Sequence, residues 1–185
     1  KNTLKNQLKC FELICQEIDF LVTMTFPIKR LVLAGDGVSP LSKQNQQRGR
    51  RYKSKLDSKQ SENDYEFDST QISVGTEWLD DLSKYIDYYI KKKVKEDKNW
   101  QNIEIIFSNQ KVPGEGEHKL FQYVKKFGKN DDTNCIYGLD SDLYMLALGT
   151  NKSNFYILKE NMYKKNQNDD FILIDIDLFK EQLIS

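Results

Sequence analysis

Leu31-Val32-Leu33-Ala34-Gly35-Asp36-Gly37 is the stretch on which the fold turns. Four unbroken apolar residues predict a strand buried on both faces, and the Gly-Asp-Gly that closes them predicts a tight turn at its carboxyl end. Toward residue 1, Leu4, Leu8, Phe11, Cys15, Ile18 and Val22 recur at helical spacing, which predicts an amphipathic helix ending before Pro27. Toward the other end, residues 40–59 are polar and basic and predict an exposed helix, and the acidic stretch 61–68 reads as a loop. A long helix over 76–94 follows, with Trp78, Leu79, Leu82, Tyr85, Ile86, Tyr89 and Ile90 as its inward stripe. Residues 103–108 read as a strand, and 112–117 as a loop entering a helix that carries Leu120, Phe121, Val124 and Phe127 to a stop at Gly128. Residues 135–140 predict a strand, 142–148 a short helix, and 155–158 and 171–176 further strands before a closing helix. Strands separated by helices predict an α/β fold with a parallel sheet and right-handed crossovers. No internal repeat or change of composition divides the chain, so residues 1–185 are expected to form one domain.

Composition narrows the function classes. The 185 residues are 38% hydrophobic, 30% charged and 12% aromatic, with a mean hydropathy of −0.69, polar for a globular chain but too aromatic for disorder. A domain of this length buries roughly 70% of its unfolded surface. Lys and Arg together number 28, as do Asp and Glu, so any electrostatic message lies in where the charges sit. The apolar runs are short and interrupted by charge, which argues against a membrane span and against a membrane partner. Cys10, Cys15 and Cys135 are odd in number and lack metal-ligand spacing, which argues against a disulfide framework and a zinc site. The expected compartment is reducing and intracellular, with the cytoplasm preferred to the nucleus. The first residue is Lys1 rather than Met, so the natural start is expected to lie elsewhere.

In open parallel sheets, ligands bind at the carboxyl ends of the strands. Asp36 ends the first strand, Glu115 and Glu117 follow the second, and Asp140 and Asp142 end the third. Taken singly, each has an ordinary reading: Asp36 as a turn former, Asp142 as a helix cap, Glu115 and Glu117 as first-turn acids. Taken together at one sheet edge, five carboxylates repel one another unless cations neutralise them, and hard oxygen donors suit Mg²⁺ or Mn²⁺ in a phosphoryl-transfer site. Gly35, Gly37, Gly114, Gly116 and Gly138 beside them permit close approach of backbone or ligand. Residues 43–59 hold Lys43, Arg48, Arg50, Arg51, Lys53, Lys55 and Lys59 against the single acid Asp57. On a helix, Lys43, Gln47, and Arg50 or Arg51 share a face, which suits a terminal phosphate. The competing reading is a solvated face, or a contact with the acidic run Glu62, Asp64, Glu66 and Asp68.

Residues 36–52, DGVSPLSKQNQQRGRRY, closely resemble a segment of the eukaryotic 5′-to-3′ exoribonucleases of the Xrn/Rat type. Residues 67–69 with 75–77, Pro113-Gly114-Glu115-Gly116-Glu117-His118-Lys119 and Tyr137-Gly138-Leu139-Asp140-Ser141-Asp142-Leu143 agree with three further family segments, in order. The resemblance implies a PIN-like, flap-nuclease-like version of the Rossmann-like parallel sheet. It also implies a Mg²⁺- or Mn²⁺-dependent site and stepwise release of nucleoside monophosphates from RNA bearing a 5′-monophosphate. By motif position, Asp36, Glu115, Glu117, Asp140 and Asp142 would be the catalytic metal-site acids, and Lys43, Gln47, Arg50 and Arg51 the 5′-phosphate pocket. Departures are Gly35 for an apolar β-branched residue, Val74 for a proline, Ser141 for an alanine and a short connection from Phe127 to Cys135. The resemblance further implies a strand with another metal-binding Asp before residue 1 and a further such Asp beyond residue 185, so the domain is expected to be incomplete at both ends. Protein partners are not specified.

Three other readings compete. Gly35-Asp36-Gly37 and Asp140-Ser141-Asp142 mimic phosphatase motifs of the haloacid dehalogenase type, but in the wrong order and with Tyr144 where Thr or Val is required. A structure-specific flap DNA nuclease, or a non-catalytic RNA-binding remnant, remains as the alternative.

Overall fold

A computed structural model describes residues 3–58, 69–161 and 170–184. The acidic run 61–68 and its expected contact with the basic helix lie outside the described residues. The chain divides into two compact units, Lys1–Gly116 and Glu117–Ser185.

The first unit opens with α1 (Thr3–Thr25), followed by β1 (Arg30–Ala34) and α2 (Leu41–Ser58). A 3₁₀ turn (Ser69–Gln71), α3 (Glu77–Glu96), α4 (Lys98–Gln101) and β2 (Glu104–Ser108) complete it. Phe11, Cys15 and Val22 of α1 meet Trp78, Leu82, Ile86 and Ile90 of α3 and Trp100 of α4 in one apolar core. Phe11 packs edge-on to Trp78 at 5.1 Å between ring centroids. The expected stripe of α1 is too long by two turns: Leu4 and Leu8 are exposed, because the close packing on α3 begins only at Phe11 and the earlier turns border an open groove with Tyr85 and Tyr88. Pro27 cannot continue a helix, and α1 ends at Thr25, followed by Phe26 at φ +44°. α3 starts at Thr76, whose Oγ1 accepts from the Leu79 N–H at 3.3 Å.

At the other end of α3, the Lys93 ammonium sits between Asp19 at 2.8 Å and Asp97 at 2.6 Å, and Asp19 also accepts from the Trp100 indole N–H at 3.1 Å. Burial alone would lower the Lys93 pKa, but its hydrogen bonds to Asp19 and Asp97 outweigh burial and hold it above the usual range. Burial pushes the Cys15 thiol up to about 11, so this cysteine behaves as a small core hydrophobe.

β1 and β2 pair in parallel from Arg30↔Glu104 to Ala34↔Ser108. Every residue of β1 is only half-buried, contrary to the expectation of burial on both faces. Leu31 and Leu33, with Ile105 and Phe107 of β2, pack on the α1–α3 core, so period-two alternation gives the pair one packed face.

The second unit contains α5 (Gly116–Phe127, whose first residue belongs to the first unit), β3 (Asn134–Tyr137), α6 (Asp142–Leu148), β4 (Phe155–Glu160), β5 (Phe171–Asp175) and α7 (Ile176–Ile184). Its core gathers Phe121, Ile136, Leu143, Ala147, Phe155, Ile157 and Ile176. β3 and β4 pair in parallel and β4 and β5 antiparallel.

Among the described residues the fold is therefore α/β, with a two-stranded parallel sheet in the first unit and a three-stranded sheet in the second, and the antiparallel β5 corrects the all-parallel arrangement expected from sequence. The reason lies in the connections. A parallel return needs a crossover of a dozen or more residues, which α6 supplies between β3 and β4, whereas the link from Glu160 to Phe171 is too short for one. β3 also stops at Tyr137 rather than at Asp140, and residues 138–141 carry the chain into α6 with Ser141 at the position before its first residue.

Candidate functional site

The turn after β1 and the loop after β2 are built against each other. Gly35 N–H donates to Ser108 O at 2.8 Å, Gly37 N–H to Gly114 O at 2.8 Å, and Gly114 N–H to Val38 O at 2.9 Å. A Cβ on Gly37 would lie 1.9 Å from the Val112 carbonyl oxygen, and one on Gly116 would lie 2.7 Å from that of Ala34. Gly114 itself holds φ +107°, which disfavours any side chain. The glycines read from sequence as permitting close approach therefore bring backbone to backbone here.

On this frame the Asp36 Oδ1 accepts from the Gly116 N–H at 2.7 Å, leaving its second oxygen for another partner. Glu115 meets the Lys43 ammonium at 2.7 Å, with side-chain exposures of 14% and 29%. Lys43 is in the first turn of α2, which starts directly after the β1 turn. Lys43 and Gln47 are half-buried on this helix, and Arg50 and Arg51 are exposed. The expected face thus exists in helical register, and its lysine reaches the acidic loop.

A second anchor holds that loop from the side of α3. Buried Gln110 accepts from the Ser83 hydroxyl and donates its Nε2–H to Asp80 Oδ1 at 3.1 Å. Hydrogen bonds from Lys84 and Lys111 keep the Asp80 carboxyl below the usual range. Sequence reading passed over Gln110; its single signal was an amide between a strand end and a Pro-Gly loop.

Glu117 is in the first turn of α5. Along these neighbouring residues, Glu115, Glu117 and His118 each offer one ligand atom, all within 4.8 Å of one another. His118 stands in sequence only as part of the Pro113–Lys119 family segment and is absent from the expected site residues. The donor set, carboxylate oxygens with one imidazole at the rim, fits a hard divalent ion.

In the second unit, Asp140 and Asp142 flank Ser141 between β3 and α6 and both are exposed. The Leu143 N–H reaches the Asp140 carbonyl at 3.4 Å, and Ser141 occupies the cap position without a side-chain hydrogen bond. The structure thus joins Asp36, Glu115 and Lys43 in one unit and places Asp140 and Asp142 on one turn of the other.

Comparison with known proteins supplies an independent line. A family model described as the XRN 5′-3′ exonuclease N-terminus matches residues 1–161. The chain is 38% identical to 5′-3′ exoribonuclease 1 of Saccharomyces cerevisiae, over 94% of this chain and 13% of the yeast protein. It is 37% identical to 5′-3′ exoribonuclease 2 of Arabidopsis thaliana, over 83% of this chain and 18% of that protein. With human 5′-3′ exoribonuclease 1 the identity is 34%, over 95% of this chain and 12% of the relative. The chain therefore spans less than a fifth of the length of these relatives.

Proposed function

Because the chain belongs to the family of the XRN 5′-3′ exonuclease N-terminus, we propose that it is part of a 5′-to-3′ exoribonuclease that hydrolyses RNA bearing a 5′-monophosphate to nucleoside monophosphates. In this reading both units are parts of one PIN-like nuclease domain, and the RNA is handled in the cytoplasm. The observation that carries the reading is the Asp36–Gly116 and Glu115–Lys43 pairing, which sets carboxylates beside the first turn of a basic helix.

Asp36, Glu115, Glu117, Asp140 and Asp142 are the residues proposed to hold Mg²⁺ or Mn²⁺. The ion, when bound, supplies positive charge that favours ionisation of the attacking water and steadies the leaving oxygen. The chain's own residues do the rest. The Gly116 N–H orients the Asp36 carboxylate by occupying one of its oxygens. Lys43, Gln47, Arg50 and Arg51 would bind the terminal phosphate as point charge, neutral donor and guanidinium forks. A pocket fitted to one terminal phosphate excludes capped ends by size and leaves its cations unpaired against a 5′-hydroxyl end, which explains the substrate choice physically.

The test is incubation of the chain, alone and extended at both ends where its gene continues, with 5′-monophosphate and 5′-hydroxyl RNA in Mg²⁺ or Mn²⁺. Shortening of the 5′-monophosphate RNA alone to mononucleotides is the expected result, with Asp140→Ala slower by more than about 100-fold. Cleavage of flap DNA instead would transfer the chain to the structure-specific nucleases, and RNA binding without hydrolysis in the extended protein would make it a remnant.

A further inference from the structure

We propose that Lys43 is a resident counter-ion for Glu115 that a divalent cation must displace, and that its release couples metal binding to phosphate binding. The inference rests on the reading of Lys43 as a phosphate ligand given above, and it goes further by assigning the lysine two successive partners.

The geometry makes the pairing a property of the fold. Lys43 follows the β1 turn by a few residues, and Glu115 ends the loop after β2. Those two segments are tied together by the Gly37–Gly114 and Gly114–Val38 backbone hydrogen bonds and by the Gly116 N–H on Asp36. Lys43 and Glu115 are thus delivered to each other by a rigid frame. The ammonium then closes on Glu115 Oε2 at 2.7 Å, with the carboxylate only 14% exposed. A carboxylate so nearly withdrawn from water needs a counter-charge, and Lys43 provides one.

The ammonium occupies Glu115 Oε2, and a divalent cation brought to the same carboxylate repels it at short range. Glu115 also contributes a ligand atom to the group formed with Glu117 and His118. Lysine and divalent ion therefore compete for one carboxylate. Lys43 carries its charge on a flexible four-carbon stem and can swing away without refolding of α2. Once displaced, the ammonium needs a new anion, and a phosphate bound on the face that Lys43 shares in helical register with Gln47, Arg50 and Arg51 would supply one. Each event then favours the other, because by linkage the cation must tighten phosphate binding by the same factor by which phosphate tightens cation binding.

Two measurements on the 185-residue chain test this, both free of any activity readout. The first is Mn²⁺ affinity by electron paramagnetic resonance of the free ion. Lys43→Met, with its fold checked by circular dichroism, is expected to bind Mn²⁺ about two- to fivefold more tightly than the wild type, the range for losing one partly exposed ion-pair competitor. The second is titration with adenosine 5′-monophosphate in EDTA. Glu115→Gln releases the lysine without any metal and is expected to bind the nucleotide more tightly than the wild type by a similar factor. Unchanged or weaker Mn²⁺ binding in Lys43→Met overturns the proposal. So does an unchanged nucleotide affinity in Glu115→Gln where the wild type binds nucleotide measurably. If Lys43→Met gains Mn²⁺ affinity while neither the wild type nor Glu115→Gln binds nucleotide, the competition stands and the phosphate-pocket reading is the part that falls.

Discussion

The turn after β1 and the turn after β3 both present aspartate at the carboxyl end of a strand in a parallel pair, and they are held in opposite ways. Asp36 sits in a mesh of backbone hydrogen bonds, fixed through one oxygen by the Gly116 N–H. Asp140 and Asp142 stand exposed on either side of a cap residue that makes no side-chain cap bond. The first site is shaped when the chain folds, and the second is shaped only as far as the start of a seven-residue helix shapes it. In the first turn a backbone N–H and a lysine offset the charge of two carboxylates, whereas the two acids of the second turn keep their charge in water.

The largest effect should come from filling the glycine at the centre of the mesh. In Gly37→Ala the new Cβ would meet backbone only, at 1.9 Å from Val112 O and 3.1 Å from Gln110 O. Neither carbonyl can move without breaking the loop, and a loss of about 3 kcal/mol or more is expected in urea unfolding. Gly138→Ala is the matching change after β3. There the obstacle is the far end of the Leu143 side chain at 2.5 Å, which can shift to another rotamer, and about 1 kcal/mol is expected. Equal losses in the two variants would break the contrast.

What sequence could and could not deliver follows the same division. The β1 strand, the helix over Asp142–Leu148 and the buried residues Trp78, Leu82, Ile86 and Ile90 of α3 were legible because periodicity and capping are local properties. So was the nearness of Asp36 to Glu115, since both follow strands that a crossover makes parallel. The direction of β5 was not legible as the chain was read, because a strand's period of two is the same in either direction and the length of its connection decides. Lys43–Glu115 was hidden for another reason: the two residues are far apart in sequence, and the glycine-to-carbonyl packing that joins them leaves no periodic trace. Gln110 looked like an ordinary loop amide, because its importance lies in Ser83 and Asp80 on a helix some thirty residues earlier.

An intermediate effect is expected where the loop carrying Glu115 is pinned to α3. Gln110→Leu removes both side-chain bonds, yet Asp80 keeps Lys84 at 2.9 Å and Ser83 keeps the Leu79 carbonyl at 3.0 Å. With no partner left wholly unsatisfied, about 1–2 kcal/mol is expected in the same urea titration. A cost as large as that of Gly37→Ala would mean that the pin from α3, rather than the glycine mesh, determines the shape of the first site.

The smallest effect on stability, and the sharpest on the contrast, should come from Asp142→Asn. Asp142 is exposed, in the first turn of α6, where a negative charge gains a few tenths of a kcal/mol from the helix dipole. Neutralising it forfeits that gain but also removes one of two acids flanking Ser141, so the two small changes oppose each other. A net shift within about 0.5 kcal/mol is expected by urea unfolding in EDTA. If Asp142 is one of the acids that wait for an ion, the stabilisation that Mn²⁺ confers on the wild type should shrink in the variant, because a ligand stabilises only in proportion to its binding to the folded state. A variant that lost stability in EDTA and kept its full response to Mn²⁺ would make Asp142 a helix-start residue alone.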